Sequence, residues 1–360
     1  MTWRKLGFWL LLGAALLGVA AYQFQAPLSL VVARQVVVGW LAADALADLP
    51  DGLHLGLCGA GSAFSDEKRA GPCTLVAAGK RLFVFDAGNA SVRNIRRMGF
   101  DPGQIEAIFL THFHADHIDG LGELLVQRWL SAGQPAPVAV HGPLGVTGVL
   151  AGLMQAYAPD RAYRIAQHGE AALPAAGSGG VAKPFTLGPD WRVVLLKDAD
   201  LEIVAFAVDP SPVQTAVGYR ISYKGRSVVL SGDTRKSAAV QREAQGVDLL
   251  VHAALSVPLV KIAQDGAARA GRPRLQKIFA DIVVYHSTPE QAAEVARDAQ
   301  VGMLLLNHIV PALPLPGMEQ AFLGAAPEVY HGPIRIGSDG DFVSLPAGPG
   351  GGAAAVSRRF

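Results

Sequence analysis

LTHFHADHIDG, residues 110–120, sets three histidines and two aspartates into eleven positions, directly behind the apolar run Ala107-Ile108-Phe109. A strand ending near Leu110 delivers His112 and His114 to a loop on the same side, because side chains two apart share a face of a strand. Asp116 and His117 follow as the chain turns toward the helical stretch GLGELLVQRWLSAG, residues 120–133. Imidazole nitrogen and carboxylate oxygen are good ligands for zinc and similar divalent ions. Four such groups within six positions exceed what one tetrahedral site takes from a single loop. The spacing points to two adjacent metal ions, with His112 and His114 facing one and Asp116 and His117 the other.

Outward from this loop the chain alternates between strands and helices. Upstream lie the β-type runs LHLGLCG, CTLVAAG and RLFVFDAG, followed by the short helix ASVRNIRRMGF. Downstream, VAVHGP reads as a strand and PLGVTGVLAGLMQAYA as a helix. After residue 190 the strands WRVVLLKD, LEIVAFAVD, AVGYRISYKG and RSVVLSGD resume, with a hairpin turning at Lys224-Gly225. HSTPEQAAEVARDAQ carries a complete helix start: Thr288 as cap, Pro289 at the first position and Gln291 closing a capping box. Residues 168–190 read as a flexible insertion between two such groups. The pattern predicts an α/β layer structure with mixed sheets.

The flanks differ in texture. Arg4 and Lys5 precede an uncharged apolar stretch that runs to about Gln23, the pattern of an export signal or a membrane anchor. Residues 1–25 are assigned to that segment, 26–51 to an amphipathic helical linker, 52–346 to the catalytic domain and 347–360, which is Gly- and Ala-rich, to a flexible tail. With 51% hydrophobic and 17% charged residues the chain is not disordered in bulk. A net charge of +1 and no basic arm argue against a nucleic-acid partner. Cys58 and Cys73 are the two cysteines; in an exported protein they can close a disulfide, or they stand as two buried thiols.

HFHADH matches an HxHxDH motif, and LCGAGSAFSD, VFDAG, GYRISYKGRSVVLSGDT, HSTPEQAAEVA and LLLNHI follow in a matching order. In these motifs the chain resembles the metallo-β-lactamase superfamily, and within it the ribonuclease Z and arylsulfatase-like branch. The resemblance implies an αββα sandwich preceded here by the N-terminal hydrophobic helix. It also implies a zinc site: His112 and His114 for a first ion, Asp116, His117 and His308 for a second, and Asp233 bridging. Asp86 in FDAG is a candidate to orient a ligand histidine. His286 resembles the histidine placed beside the scissile phosphate, and Asp116 doubles as the group that orients water.

Two positions depart from the pattern. The family carries a histidine where this chain has Pro210, and an acidic residue where it has Ala253. Asp209, His141, His168 and His252 are the available substitutes. One zinc ion is therefore expected and two remain open. The resulting expectation is an exported metal-dependent hydrolase, active on a small ester such as a phosphodiester, sulfate ester or lactone. The N-terminal segment would contact the membrane if retained, and pairing into a homodimer is left open. The competing reading is a catalytically weak or inactive ligand-binding relative.

Overall fold

The structure, a computed structural model, describes residues 3–64, 66–209, 215–348, 352 and 354–360. The chain divides into two compact units, 1–44 and 45–360. The first is a single helix, Trp3–Ala42, that runs through Pro27. Its stretch Lys5–Gly39 has the length and apolarity that a bilayer crossing requires. The separate amphipathic linker expected from residue 26 onward is absent among the described residues. Exposed Leu28, Val31, Val32, Val36, Val37 and Leu41 continue the apolar surface around the helix rather than on one face.

The second unit contains two sheets. The first is built from β1 (Gly52–Gly59), β2 (Cys73–Ala78), β3 (Arg81–Phe85), β4 (Ile105–Phe109), β5 (Val138–Pro143) and β6 (Gly180–Phe185). The second takes the next strands: β7 (Arg192–Lys197), β8 (Leu201–Ala207), β9 (Val217–Tyr223), β10 (Arg226–Leu230), β11 (Leu249–Leu255), β12 (Leu304–Val310) and β13 (Ile334–Ile336). The chain then returns to the first sheet with β14 (Asp341–Pro346) and β15 (Ala355–Arg358). Strand order is β15-β14-β1-β2-β3-β4-β5-β6 in one sheet and β13-β12-β11-β10-β9-β8-β7 in the other.

Period-2 alternation explains why these strands make layers. In β1, Leu53, Leu55 and Leu57 face the second sheet, where Ile203, Tyr219, Ile221, Val228 and Val251 meet them. Cys58 on the same strand faces outward with Leu75 and Val84, onto Val92, Ile95, Leu121 and Leu124 of two helices. The outer face of the second sheet is covered in the same way, by Ala292, Val295 and Ala296 of the helix Pro289–Asp298. Helix, sheet, sheet, helix is the expected αββα sandwich.

The hairpin forms as read, with Tyr223 opposite Arg226 and both Lys224 (φ 45°) and Gly225 (φ 81°) left-handed. The capping box of Thr288 and Gln291 is present. The domain is longer than 52–346 at both ends. Ala45, Leu46 and Leu49 are buried in its core. The tail is ordered at its far end, where β15 pairs antiparallel with β14. The Arg97 guanidinium lies 3.7 Å from the Phe360 ring centre, and that of Arg359 lies 4.2 Å from Phe342. Residues 180–185 of the expected insertion are likewise β6, paired parallel with β5.

Cys58 and Cys73, on adjacent strands, form a disulfide with their Cα atoms 4.9 Å apart.

Candidate metal centre

β3 to β6 run parallel in one sheet and β10 to β13 in the other. Loops leaving the carboxyl ends of such strands gather at one edge. β4 delivers His112 there, β10 delivers Asp233, and β12 carries His308 where its pairing with β11 is irregular. His308 itself has φ 47°, a left-handed conformation uncommon for a residue with a side chain.

The loop holding Asp116 is fixed by close backbone packing. A Cβ on Gly88 would fall 2.3 Å from the Asp116 carbonyl oxygen, and one on Gly120 would fall 2.1 Å from that of Gly88. Only glycine permits these approaches. The HxHxDH loop is thereby held against the FDAG turn.

Asp233 is the hub. Its Oδ2 lies 3.3 Å from His308 Nε2, 3.6 Å from His117 Nε2 and 3.9 Å from His112 Nε2. Asp116 Oδ2 lies 3.3 Å from the same His308 nitrogen and 3.6 Å from that of His117. Ligand atoms that share one tetrahedral zinc ion stand roughly 3.3 Å apart, given bonds of about 2.0–2.1 Å. Within the quartet Asp116, His117, Asp233 and His308 each carboxylate stands near that spacing from both imidazoles. The ligand atoms converge in overlapping sets, among them Asp116 with His117 and His308, and Asp233 with His112 and His117. His117 Nε2 and Asp233 Oδ1 are buried and have no hydrogen-bond partner. Buried polar groups are normally satisfied, so these atoms fit a divalent cation as the missing partner.

Asp86 fixes the orientation of His117. Its Oδ2 is 2.8 Å from His117 Nδ1, while Oδ1 accepts the Thr111 backbone N–H and Oδ2 the Thr111 hydroxyl, each at 2.8 Å. The imidazole is therefore anchored through Nδ1, and Nε2 points at the quartet. Thr111 has no part in the motif as read from sequence, yet it completes this support.

The electrostatics follow from six ionisable groups sharing a buried site. Burial pushes the Asp116 carboxyl up, but the hydrogen bond from His308 and the charges of His117 and His308 pull it down to about 2. Asp233 is likewise held well below the usual carboxylate range, against burial, by His308 and His117. His117 and His308 move up, against burial, because Asp233 faces both. His112 moves down through burial and the neighbouring His117 charge. His286 is pushed down to about 4, mainly by burial.

Not every expected residue joins the cluster. His114 is exposed, 2.9 Å from His112 through Nδ1, and lies outside the groups of converging ligand atoms. His112 also groups with His117 and Asp233. His286 groups with Asp233 and His308, its atoms within 4.8 Å of theirs. Pro210 lies outside the described residues. Of its possible substitutes, Asp209 is committed to a two-oxygen pair with Arg235 at 2.8 Å. His141 stacks on Phe109, His168 ends a helix, and His252 bonds the Ala253 carbonyl. None of the four is in the metal-type groups among the described residues.

Comparison with known proteins agrees with this geometry. The family model of the metallo-beta-lactamase superfamily matches residues 67–267. Ribonuclease Z of Mycobacterium avium (strain 104) is 36% identical over 290 residues, covering 80% of this chain and 96% of that one. Ribonuclease Z of Mycobacterium marinum (strain ATCC BAA-535 / M) is 33% identical over 292 residues, with the same coverage. Two solved structures share the fold, each at TM-score 0.55. The metallo-beta-lactamase fold protein YhfI from Bacillus subtilis has 19% identity and covers 82% of this chain and 100% of its own. The short form of human tRNase Z has 20% identity and covers 81% and 99%.

These relatives overturn the expectation against a nucleic-acid partner, because they are named for ribonuclease activity and match almost end to end. The physical fault lay in reading a whole-chain charge of +1 as a statement about the site. A local field at a cleft is set by the few charges that line it. With the family model over more than half its length and such relatives beside it, the chain belongs to the metallo-beta-lactamase superfamily, in the branch of its ribonuclease Z relatives, and is a metallo-hydrolase of ester bonds.

Proposed function

We propose that this chain is a zinc-dependent ribonuclease that hydrolyses phosphodiester bonds of RNA. The observation that carries this reading is the convergence of Asp116 and Asp233 on the same two imidazoles, each carboxylate 3.3 Å from His308 Nε2 and 3.6 Å from His117 Nε2. The relatives named ribonuclease Z supply the substrate class. A divalent ion in such a site polarises a phosphoryl oxygen and activates water near neutral pH. The protein's own residues do the rest. Asp86 and Thr111 keep His117 from rotating. Asp116, ionised, would orient the attacking water. His286, neutral at pH 7, stands beside Asp233 and His308 as a hydrogen-bonding partner for the phosphate. His112 and His114 form the open flank, where a second ion has fewer protein ligands.

The helix Trp3–Ala42 and the Cys58–Cys73 disulfide support a location at a membrane and outside the reducing cytoplasm. Whether the helix is a retained anchor or a removed signal is a matter of its cleavage, which N-terminal sequencing of the mature protein reads directly.

Zinc content of protein purified without chelator, combined with cleavage of an RNA carrying a single-stranded 3′ extension, tests the proposal. We expect near one zinc per chain, RNA cleavage, and loss of both in His308→Ala. Pro210→His should raise the content toward two. A protein that holds zinc and hydrolyses bis(p-nitrophenyl) phosphate but leaves RNA intact would refute the substrate assignment. Full zinc retention in His308→Ala would refute the site.

A further inference from the structure

Trp191 is hard to explain as a structural residue. Its side chain is 67% exposed, so burial does not account for it. Its φ is 59°, a left-handed conformation that is strained for a bulky residue and that glycine would adopt freely. The turn is well made all the same: Trp191 N–H donates to Gly188 O at 2.9 Å and its carbonyl accepts from Ala207 at 2.8 Å. Strain held in place by good hydrogen bonds, at an exposed aromatic, is the pattern of a site that meets a ligand.

Trp191 lines a groove of about 790 Å³, within the range of ligand clefts. Its lining includes the apolar Leu144, Phe185 and Leu187, and from the segment that follows Asp233 the cationic Lys236 and Arg242. Asp209 also lines it and is paired with Arg235 at 2.8 Å. Lys236 also pairs with Glu294 at 2.6 Å. The groove neighbours the metal centre. Val217, which lines it, donates its N–H to the carbonyl of Thr111, next to His112, at 3.0 Å. Phe113, between His112 and His114, abuts Gly142 and Gly145, which flank Pro143 and Leu144 of the groove.

From this geometry we infer that the groove binds unpaired nucleotides of the RNA beside the scissile phosphate, with Trp191 as the surface on which a base stacks. Single-stranded RNA is recognised by aromatic stacking together with cationic groups along its backbone. A lining that combines apolar side chains with the Lys236 ammonium and the Arg242 guanidinium offers both. Being exposed before the substrate arrives, the indole has no packing to give up. This inference rests on the RNA reading of the active site.

Trp191→Ala, Trp191→Gly and Trp191→Phe in the full chain, with zinc content as a folding check, test it. With an RNA whose cleavage site is flanked by unpaired nucleotides, the Ala and Gly variants should raise KM by roughly fivefold to a hundredfold, as expected for loss of one stacked base. Phe should recover most of that loss, and hydrolysis of bis(p-nitrophenyl) phosphate should stay at the wild-type rate. Titration with a non-cleaved single-stranded RNA should quench tryptophan fluorescence in the wild type and less in Trp191→Phe. Unchanged KM for RNA in the Ala and Gly variants would overturn the inference and leave the ribonuclease reading standing. An equal loss on the small aryl ester would also overturn it, because the groove would then be a pocket for a small leaving group. Absence of RNA cleavage by the wild type would remove the ribonuclease reading, and this inference with it.

Discussion

Asp86 makes three of the shortest buried polar contacts near the centre, two to Thr111 and one to His117. Asp86→Asn keeps an acceptor for the Thr111 N–H but gives up the anionic partner of the imidazole. Changes of this kind behind a ligand histidine typically cost 10–100-fold in metal affinity. We expect zinc to be lost to a competing chelator at correspondingly lower chelator activity, with the near-UV circular dichroism unchanged; wild-type affinity in the variant would remove Asp86 from the support of His117. His252 makes a different prediction. It is fully buried and pushed down to about 4 by that burial. The unfolded chain takes up this proton near pH 6.5, the folded chain only near pH 4, so unfolding is favoured progressively as pH falls between the two. About 3 kcal/mol of stability is at stake, all of it retained above pH 6.5. Urea unfolding of the wild type and His252→Asn at pH 5 and pH 7.5 isolates this share, and the variant should show the shallower pH dependence. Most of the centre was legible at this scale because its residues sit in short motifs. Thr111 was not: a threonine that holds an aspartate 25 positions away leaves no local pattern. The position of His114 was not either, since strand alternation says which side a side chain takes but not how far the loop carries it.

Among the elements, those with strong local signals form where expected. The Lys224-Gly225 hairpin and the Thr288 capping box both satisfy backbone groups within a few residues, so no tertiary knowledge is needed to see them. β6 and β15 are the counterexamples. Each lies in or next to Gly- and Ala-rich sequence and becomes a strand only because an edge is waiting for it, β5 for one and β14 for the other. The helix Trp3–Ala42 deceives in the opposite sense, since Pro27 suggests a boundary that the helix simply passes. β15 has a measurable role. Deleting residues 355–360 removes a ladder along β14 and the aromatic–guanidinium contacts of Phe360 and Arg359. We expect a loss of about 1–3 kcal/mol in urea unfolding with zinc content intact. A truncated protein as stable as the full one would mean that the strand is only draped on the edge.

For the whole molecule, the layer order was readable from the alternation of strands and helices, and the family from ordered motifs. The partner class was misread because net charge averages over surfaces that never meet the substrate. The disulfide belongs to this scale too, since it ties two strands of the first sheet within one buried core. Closing a loop of 15 residues is worth about 3 kcal/mol in the chain-entropy account. Reduction, or Cys58→Ser with Cys73→Ser, should lower stability by about that amount, read by urea unfolding with and without reductant. No change would mean that the core holds the strands without the bond.

The place of β1 carries one more consequence. It lies between β2 and β14, and its His54 meets Ser344 across 290 positions of sequence. During synthesis the first strand to emerge therefore waits, with one flank unpaired, until nearly the last one arrives. Such an open flank is a template for pairing with other chains. A nascent or prematurely terminated chain should be a client for chaperones, whereas the finished one closes its own seam.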